Sequence, residues 1–272
     1  MLKQSIYSLL FLAAIFLLEF NLDVREMGWA ANLNALLIVL GGTVCATLLA
    51  YPLARLVLTL RILKKSFAGG EQEMASTIQT IVNLARINRT RNIRSLENQI
   101  GPLPQGLLRT GLELIVYHYS RENVEQILHR EALSISSQHA TAHKILHSMA
   151  RLAPALGLAG TIVSLIRIFG HIQDPQNLIG YMAVALLCTF YGVILANLCF
   201  VPLSSKLKDF MNQDELRMEM IQEGILGLYD DEHPRAVQYR LETLAGTKVK
   251  PLTGQPRLVL MPSSAEKAGG TH

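Results

Sequence analysis

Charge is what this chain has least of. Of its 272 residues only 17% are Asp, Glu, Lys or Arg, while half are hydrophobic, an apolar excess for a water-soluble protein. The shortage is concentrated in three stretches, Ile6 to Leu18, Leu33 to Ala54 and Leu152 to Val201, the last broken by "GHIQDPQN". A membrane helix needs about 20 apolar residues, so the broken stretch supplies two spans. The expectation is an all-α integral membrane protein with four transmembrane helices.

Cysteine is nearly absent too. Cys45, Cys188 and Cys199 all fall in candidate spans with no metal or redox spacing, which excludes a disulfide framework. No alternating strand pattern competes with the helical one, and no basic run interleaved with aromatics suggests nucleic acid. Lys and Arg crowd the connector from Arg55 to Arg151 and the region after Pro202, whereas "NLDVREMGWAAN" has only Arg25 and "GHIQDPQN" none. That bias puts both termini and the connector in the cytoplasm. The first stretch follows Lys3 but lacks a small-residue cleavage site, so it reads as a retained span.

The organisation expected is therefore a first transmembrane hairpin (1–54), a cytoplasmic helical domain (55–150), a second transmembrane hairpin (151–203), cytoplasmic helices (204–246) and a flexible tail (247–272). Within the connector, Ser120 ahead of Glu122 and Asn123 suits a helix N-cap and "GPLPQG" a break. After Pro202 a long amphipathic helix, a turn at "DDEHP" and a short helix are expected.

The third span, "RLAPALGLAGTIVSLIRIF", carries a proline and two glycines where an anchor would use leucine. On a helical projection Pro154, Gly157, Thr161 and Ser164 share one stripe, as do Ala185, Thr189, Gly192 and Ala196 in the fourth span. The plain reading is a packing surface, for which Gly157, Gly160, Gly192 and Ala196 are candidates. The sharper reading makes Thr161 and Thr189 the lining of an ion path, with Pro154 and Pro202 marking the cytoplasmic ends of the two helices. Neither span holds an Asp, Glu or His at mid-depth, so a titrating group has to come from another chain; Arg167 sits near the outer end, where it can snorkel. His139, His143 and His147 follow at i, i+4 steps, a geometry open to a divalent metal or a pH response, although a wet polar face is the ordinary meaning. No nucleophile or catalytic carboxylate accompanies them, and no enzyme is expected.

Taken together, "APALGLAGTIVSLI", "DPQNLIGYMAVALLCTFYGVILANLCFVPLSSKLK", "MIQEGIL", "HPRAVQYRLETL" and "LNALLIVLGGTVCATLLAYPL" resemble the A subunit of the bacterial flagellar motor stator, the MotA/PomA family, from about residue 33 to 245. The resemblance implies a homo-oligomeric ring, a pentamer, in the lipid of the bacterial inner membrane. Such a ring encloses a dimer of a MotB/PomB-like B subunit whose helix carries an ion-binding aspartate. Proton or sodium flow then turns the ring against the rotor switch protein FliG, with no cofactor beyond the coupling ion. It further implies that Thr161, Thr189, Pro154 and Pro202 belong to the ion path, and that "RINRTRNIRSLE" places rotor-interacting charges at Arg89 and Glu97. Arg167 stands where a neutral residue is usual. TolQ/ExbB relatives, which energise envelope transport, are the alternative; they usually have three spans.

Overall fold

The computed structural model describes residues 29–68, 71–89, 93–171 and 175–246. The first expected span, the acidic residues Glu19, Asp23, Glu26 and Asp174, and the tail from 247 lie outside the described residues. Among the described residues every element is helical. α1 (Trp29–Leu36), a π turn π1 (Leu37–Gly41) and α2 (Gly42–Ala50) run on as one apolar rod. Tyr51 then turns extended ahead of Pro52, as a residue before proline tends to, and α3 (Leu53–Ala68) follows. The connector continues with α4 (Glu71–Asn88), α5 (Ile93–Ile100) and α6 (Leu107–Val116); "GPLPQG" is the break between the last two.

α7 (Arg121–Gly170) is 50 residues long, about 75 Å at 1.5 Å per residue. Its N-terminus is closed as the sequence suggests: the Ser120 side chain accepts from the Asn123 N–H at 3.4 Å, and Glu122 sits in the first turn against the positive end of the helix. α8 (Pro175–Ile194) returns through the same apolar layer, passes into a second π turn π2 (Leu195–Phe200), and continues as α9 (Val201–Tyr229). α10 (Pro234–Ala245) starts with Pro234 in its first turn and ends at Gly246, whose φ of 61° is the left-handed conformation that glycine adopts without strain.

The two prolines do not end their helices. Pro154 sits inside α7, and Pro202 lies in the first turn of α9 directly after π2, so both rods cross from the apolar layer into the more polar one without interruption. A missing N–H is tolerated where the neighbouring turn reorganises, and the i−5 bond from Val201 N–H to the Ala196 carbonyl shows that adjustment ahead of Pro202. The boundaries drawn at 150/151 and 203/204 thus fall within continuous helices.

Three helices among the described residues are long and apolar enough to cross a membrane. Below the apolar layer, α4, α6, the start of α7, α9 and α10 close on a core that includes Ile78, Ile81, Leu112, Leu128, Ile225 and Leu241, all 1% exposed or less. A second, smaller core of Ile62, Leu63, Ala142, Leu146, Leu207 and Phe210 joins α3, α7 and α9 at the neck between the layers.

Candidate functional site

Close approach of α7 and α8 sets the geometry of the apolar layer. A Cβ built on Gly157 would lie 2.7 Å from the Cys188 carbonyl oxygen, and one on Gly192 would lie 2.9 Å from the Ala153 carbonyl oxygen and 3.2 Å from Gly157 Cα. Backbone meets backbone here, so only glycine fits at either position. A Cβ on Gly160 would meet the Cys188 sulfur at 2.8 Å and Ile38 of π1 at 3.1 Å, and Ala196 is buried against Ala150, Ala153 and Phe200. The four small residues singled out in the sequence are therefore all at the helix contact.

At the edge of that contact the structure brings Thr161 and Thr189 together. Their hydroxyl oxygens are 2.6 Å apart, and Thr161 Oγ1 also lies 3.1 Å from the Gly157 carbonyl and 3.0 Å from the Ala185 carbonyl. One hydroxyl has one proton. The arrangement that leaves fewest groups unmet has Thr161 donate to the carbonyls and accept from Thr189. Thr189 is exposed at the surface of the chain and Thr161 half-buried. Around them stand exposed apolar side chains: Leu158, Ile162 and Leu165 on α7, with Met182, Leu186 and Val193 on α8. The result is an apolar face with a pair of hydroxyls at its centre. No Asp or Glu occurs between residues 31 and 50, 152 and 171, or 178 and 200.

The histidine row divides. His139 is not on a wet face: it is 7% exposed, its Nδ1 lies 3.7 Å from Asp214 Oδ2 on α9, and its ring lies 5.5 Å from that of Phe210. The partner carboxylate comes from 75 positions along the chain, out of reach of local spacing. Asp214, itself 5% exposed, also accepts from Arg217. His139 lies 12 residues before Arg151, about 18 Å below the apolar layer. Burial pushes its imidazole below the usual histidine range; Asp214 opposes this, while Lys65 and Arg217 reinforce it. His143 and His147 stack with ring centres 6.1 Å apart, and burial lowers the pKa of His143, helped by His147 and Lys208. Among the described residues no group of three or more His, Cys, Asp or Glu could hold a metal ion.

Asp214 faces both His139 and Arg217 at this neck, and removing it takes the carboxylate from beside a buried imidazole and a half-buried guanidinium. Asp214→Ala is expected to destabilise the protein by about 3 kcal/mol, the scale for breaking a buried pair. A melting curve of the detergent-purified protein checks this. Because the folded pKa of His139 is depressed, its neutral form stabilises the fold fully above about pH 6.5, and that contribution is lost as the pH falls towards the lower folded value.

Arg89 and Glu97 are both exposed, on α4's C-terminal edge and on α5. Arg89 is held by its neighbour. Asn88 Nδ2 donates to the Leu228 carbonyl at 2.9 Å and to Asp231 Oδ1 at 2.7 Å, clamping the end of α4 to the α9–α10 turn. There Arg89 lines a cleft of about 550 Å³ with Val82, Arg86, His233, Pro234, Arg235 and Gln238, a lining without a carboxylate. Glu97 is not part of that cleft. Arg235 is 146 positions from Arg89, and only the folded turn makes the two neighbours. On α7's outer end Arg167 is exposed, and its carbonyl meets His171 Nδ1 at 3.0 Å.

Long helices that pass unbroken from an apolar layer into a polar helical head, with hydroxyls but no acid in the layer, define the class: a polytopic helical membrane protein of the channel-subunit type. The particular family follows from the comparisons. Residues 102–220 match the model of the MotA/TolQ/ExbB proton channel family. Motility protein A of Treponema pallidum is 30% identical over 219 residues, 80% of this chain and 85% of that protein. Among solved structures, C. jejuni MotAB superposes with a TM-score of 0.76 at 18% identity, over 89% of this chain and 94% of that one. The flagellar MotAB stator complex from Bacillus subtilis gives 0.69 at 23% identity, over 85% and 92%. The chain belongs to the motility protein A family within the MotA/TolQ/ExbB proton channel proteins.

Proposed function

We propose that this chain is the A subunit of an ion-driven flagellar stator. Copies of it form a ring, a pentamer, in the bacterial inner membrane around a dimer of a MotB/PomB-like subunit, and ion flow between them drives the rotor. The single observation that carries the reading is the Thr161–Thr189 hydroxyl pair, 2.6 Å apart at the centre of an exposed apolar face. A hydroxyl pair can hold a proton or sodium ion briefly but cannot titrate, and the apolar surround suits one more helix. A carboxylate on that helix, set opposite the pair, completes a reversible site. Pro154 and Pro202 lie at the cytoplasmic exit of the two spans, where the missing N–H of each, and the π turn ahead of Pro202, let the helices shift as the ion passes. Gly157, Gly160, Gly192 and Ala196 keep the pair in register.

At the far end, Arg89 and Glu97 face the rotor protein FliG. The Asn88 clamp and the cleft with Arg86 and Arg235 favour a rigid basic surface at Arg89, suited to acidic side chains. The Treponema pallidum relative is named a motility protein rather than an enzyme or an envelope-transport protein.

The experiment uses the complex coexpressed with its B subunit. Thr161→Val and Thr189→Val keep the shape of the side chain and remove the hydroxyl. Each is expected to lower ion flux into liposomes roughly tenfold, the scale of one lost hydrogen bond to the ion, with ring assembly unchanged. Unaltered flux in both variants would mean that the pair is a packing contact.

A further inference from the structure

Two turns below the hydroxyl pair, the fourth span carries a polar side chain that helix packing does not use. Asn197 lies in π2 and is exposed, and its Nδ2 donates to the Val193 carbonyl at 3.0 Å. Because that acceptor is a carbonyl oxygen, the amide nitrogen has to be the atom facing it. The Oδ1 atom is left with no hydrogen-bond partner among the described residues. An amide oxygen turned towards hydrocarbon is costly, so an exposed asparagine inside a span points to a polar guest.

The π turn decides which way it faces. Thr189, Val193 and Asn197 follow at steps of four, and all three are exposed, while Gly192 and Ala196 beside them are buried against α7. In an α-helix each such step drifts by about 40° around the axis. The wider i→i+5 turn of π2 offsets the drift of the last step, so Asn197 stays on the exposed face it shares with Thr189 and Val193. Eight residues at about 1.5 Å place it about 12 Å towards the cytoplasm. Thr189 is near the middle of the apolar run, and the hydrocarbon ends about 15 Å from its middle, so Asn197 is still within it, close to the inner edge. Between the two levels the exposed side chains include Val193 and Leu158, neither able to replace water around a cation.

We propose that Asn197 is a further residue of the ion path: its Oδ1 receives the coupling cation, a hydronium or a partly hydrated sodium ion, between the hydroxyl pair and the cytoplasm. This rests on the ion-path reading above. A neutral amide exchanges no proton under these conditions, so it acts by accepting a hydrogen bond or coordinating, and the ion leaves it for bulk water. The π turn then has a job in the mechanism, since a regular helix would swing this amide off the face.

The test compares Asn197→Ala, Asn197→Ser and Asn197→Leu in the complex purified with its B subunit and reconstituted in liposomes. Proton and sodium uptake under an imposed gradient are read alongside native mass spectrometry of the assembly. The expected result is an intact assembly with flux lowered roughly tenfold by alanine, abolished by leucine, and largely kept by serine, whose hydroxyl still accepts a hydrogen bond. Wild-type flux in the alanine or leucine variant overturns the proposal. So does loss of assembly in the alanine variant, which would make Asn197 a contact between copies. Thr161→Val and Thr189→Val separate the two ideas: if they conduct normally the ion path itself is wrong, and if they lose flux while Asn197→Leu conducts, only Asn197 is out of it.

Discussion

Rings of this chain reconstituted without a partner are expected to carry no proton or sodium current. A charge inside hydrocarbon is costly enough that a conducting route needs a group to bind the ion reversibly along the way. Thr161 and Thr189 have two hydroxyl protons to donate among each other and two carbonyls, yet neither can gain or lose one near neutral pH. The apolar segments of the described residues hold no Asp or Glu, and their charged side chain, Arg167, repels cations at the outer end. Conduction is expected only when a single-span partner brings an acid to the level of the hydroxyl pair, and changing that acid to its amide should remove it. The measurement is a pH-dye and sodium-uptake assay on liposomes holding the ring alone, the complex, and the amide variant. Robust flux through the ring alone would defeat the argument from the missing carboxylate.

Adding one methyl group at Gly192 should be enough to end assembly of an active complex. In Gly192→Ala the new Cβ falls 2.9 Å from the Ala153 carbonyl oxygen and 3.2 Å from the Cα atoms of Gly157 and Pro154. All three are backbone atoms that no rotamer change can move. Relief has to come from parting α7 and α8, and a shift of about 1 Å pulls apart the 2.6 Å contact between Thr161 and Thr189. Overpacking costs about 1–3 kcal/mol, and a contact made only of backbone belongs at the upper end. Gly160→Ala gives a control at the same interface. Its Cβ meets the Cys188 sulfur at 2.8 Å, so Cys188→Ala in the same chain should recover part of the lost complex, with Cys188 Cβ at 3.0 Å and Ile38 at 3.1 Å still in place. No side-chain truncation should rescue Gly192→Ala. Yield of the intact complex on size-exclusion chromatography, with flux per complex, distinguishes the cases; wild-type values for Gly192→Ala would show that the two helices have slack.

Local chemistry made some of this plain before any coordinates. Ser120 caps α7, "GPLPQG" breaks the connector, and the small-residue stripes of the third and fourth spans are where the helices touch, because caps, turns and close approach each depend on a few neighbouring residues. The prolines misled for a related reason. Proline's penalty is local, whereas the long helices around Pro154 and Pro202 are held by packing along their whole length, so the rods continue through. Contacts between distant segments left no trace in spacing: Asp214 against His139, Arg235 beside Arg89, and the Asn88 clamp all form only once α9 lies along α4 and α7. The π turns were equally hidden, since nothing in "LANLCF" distinguishes an i→i+5 turn from an ordinary one.

The length of α7 has a mechanical meaning. Its cytoplasmic end is pinned by the Arg121–Asp230 pair at 3.1 Å, and the adjoining Asp231 holds Asn88, whose neighbour is Arg89. Between the hydroxyl seam and the outermost basic surface there is one stiff shaft and two bonded joints. A shaft of that sort stores little twist. On the stator reading proposed above, displacement produced at one end should arrive at the other almost undiminished. Gearing of this kind is expected to leave little room for slip: ion flux through the complex should fall when the head is stalled.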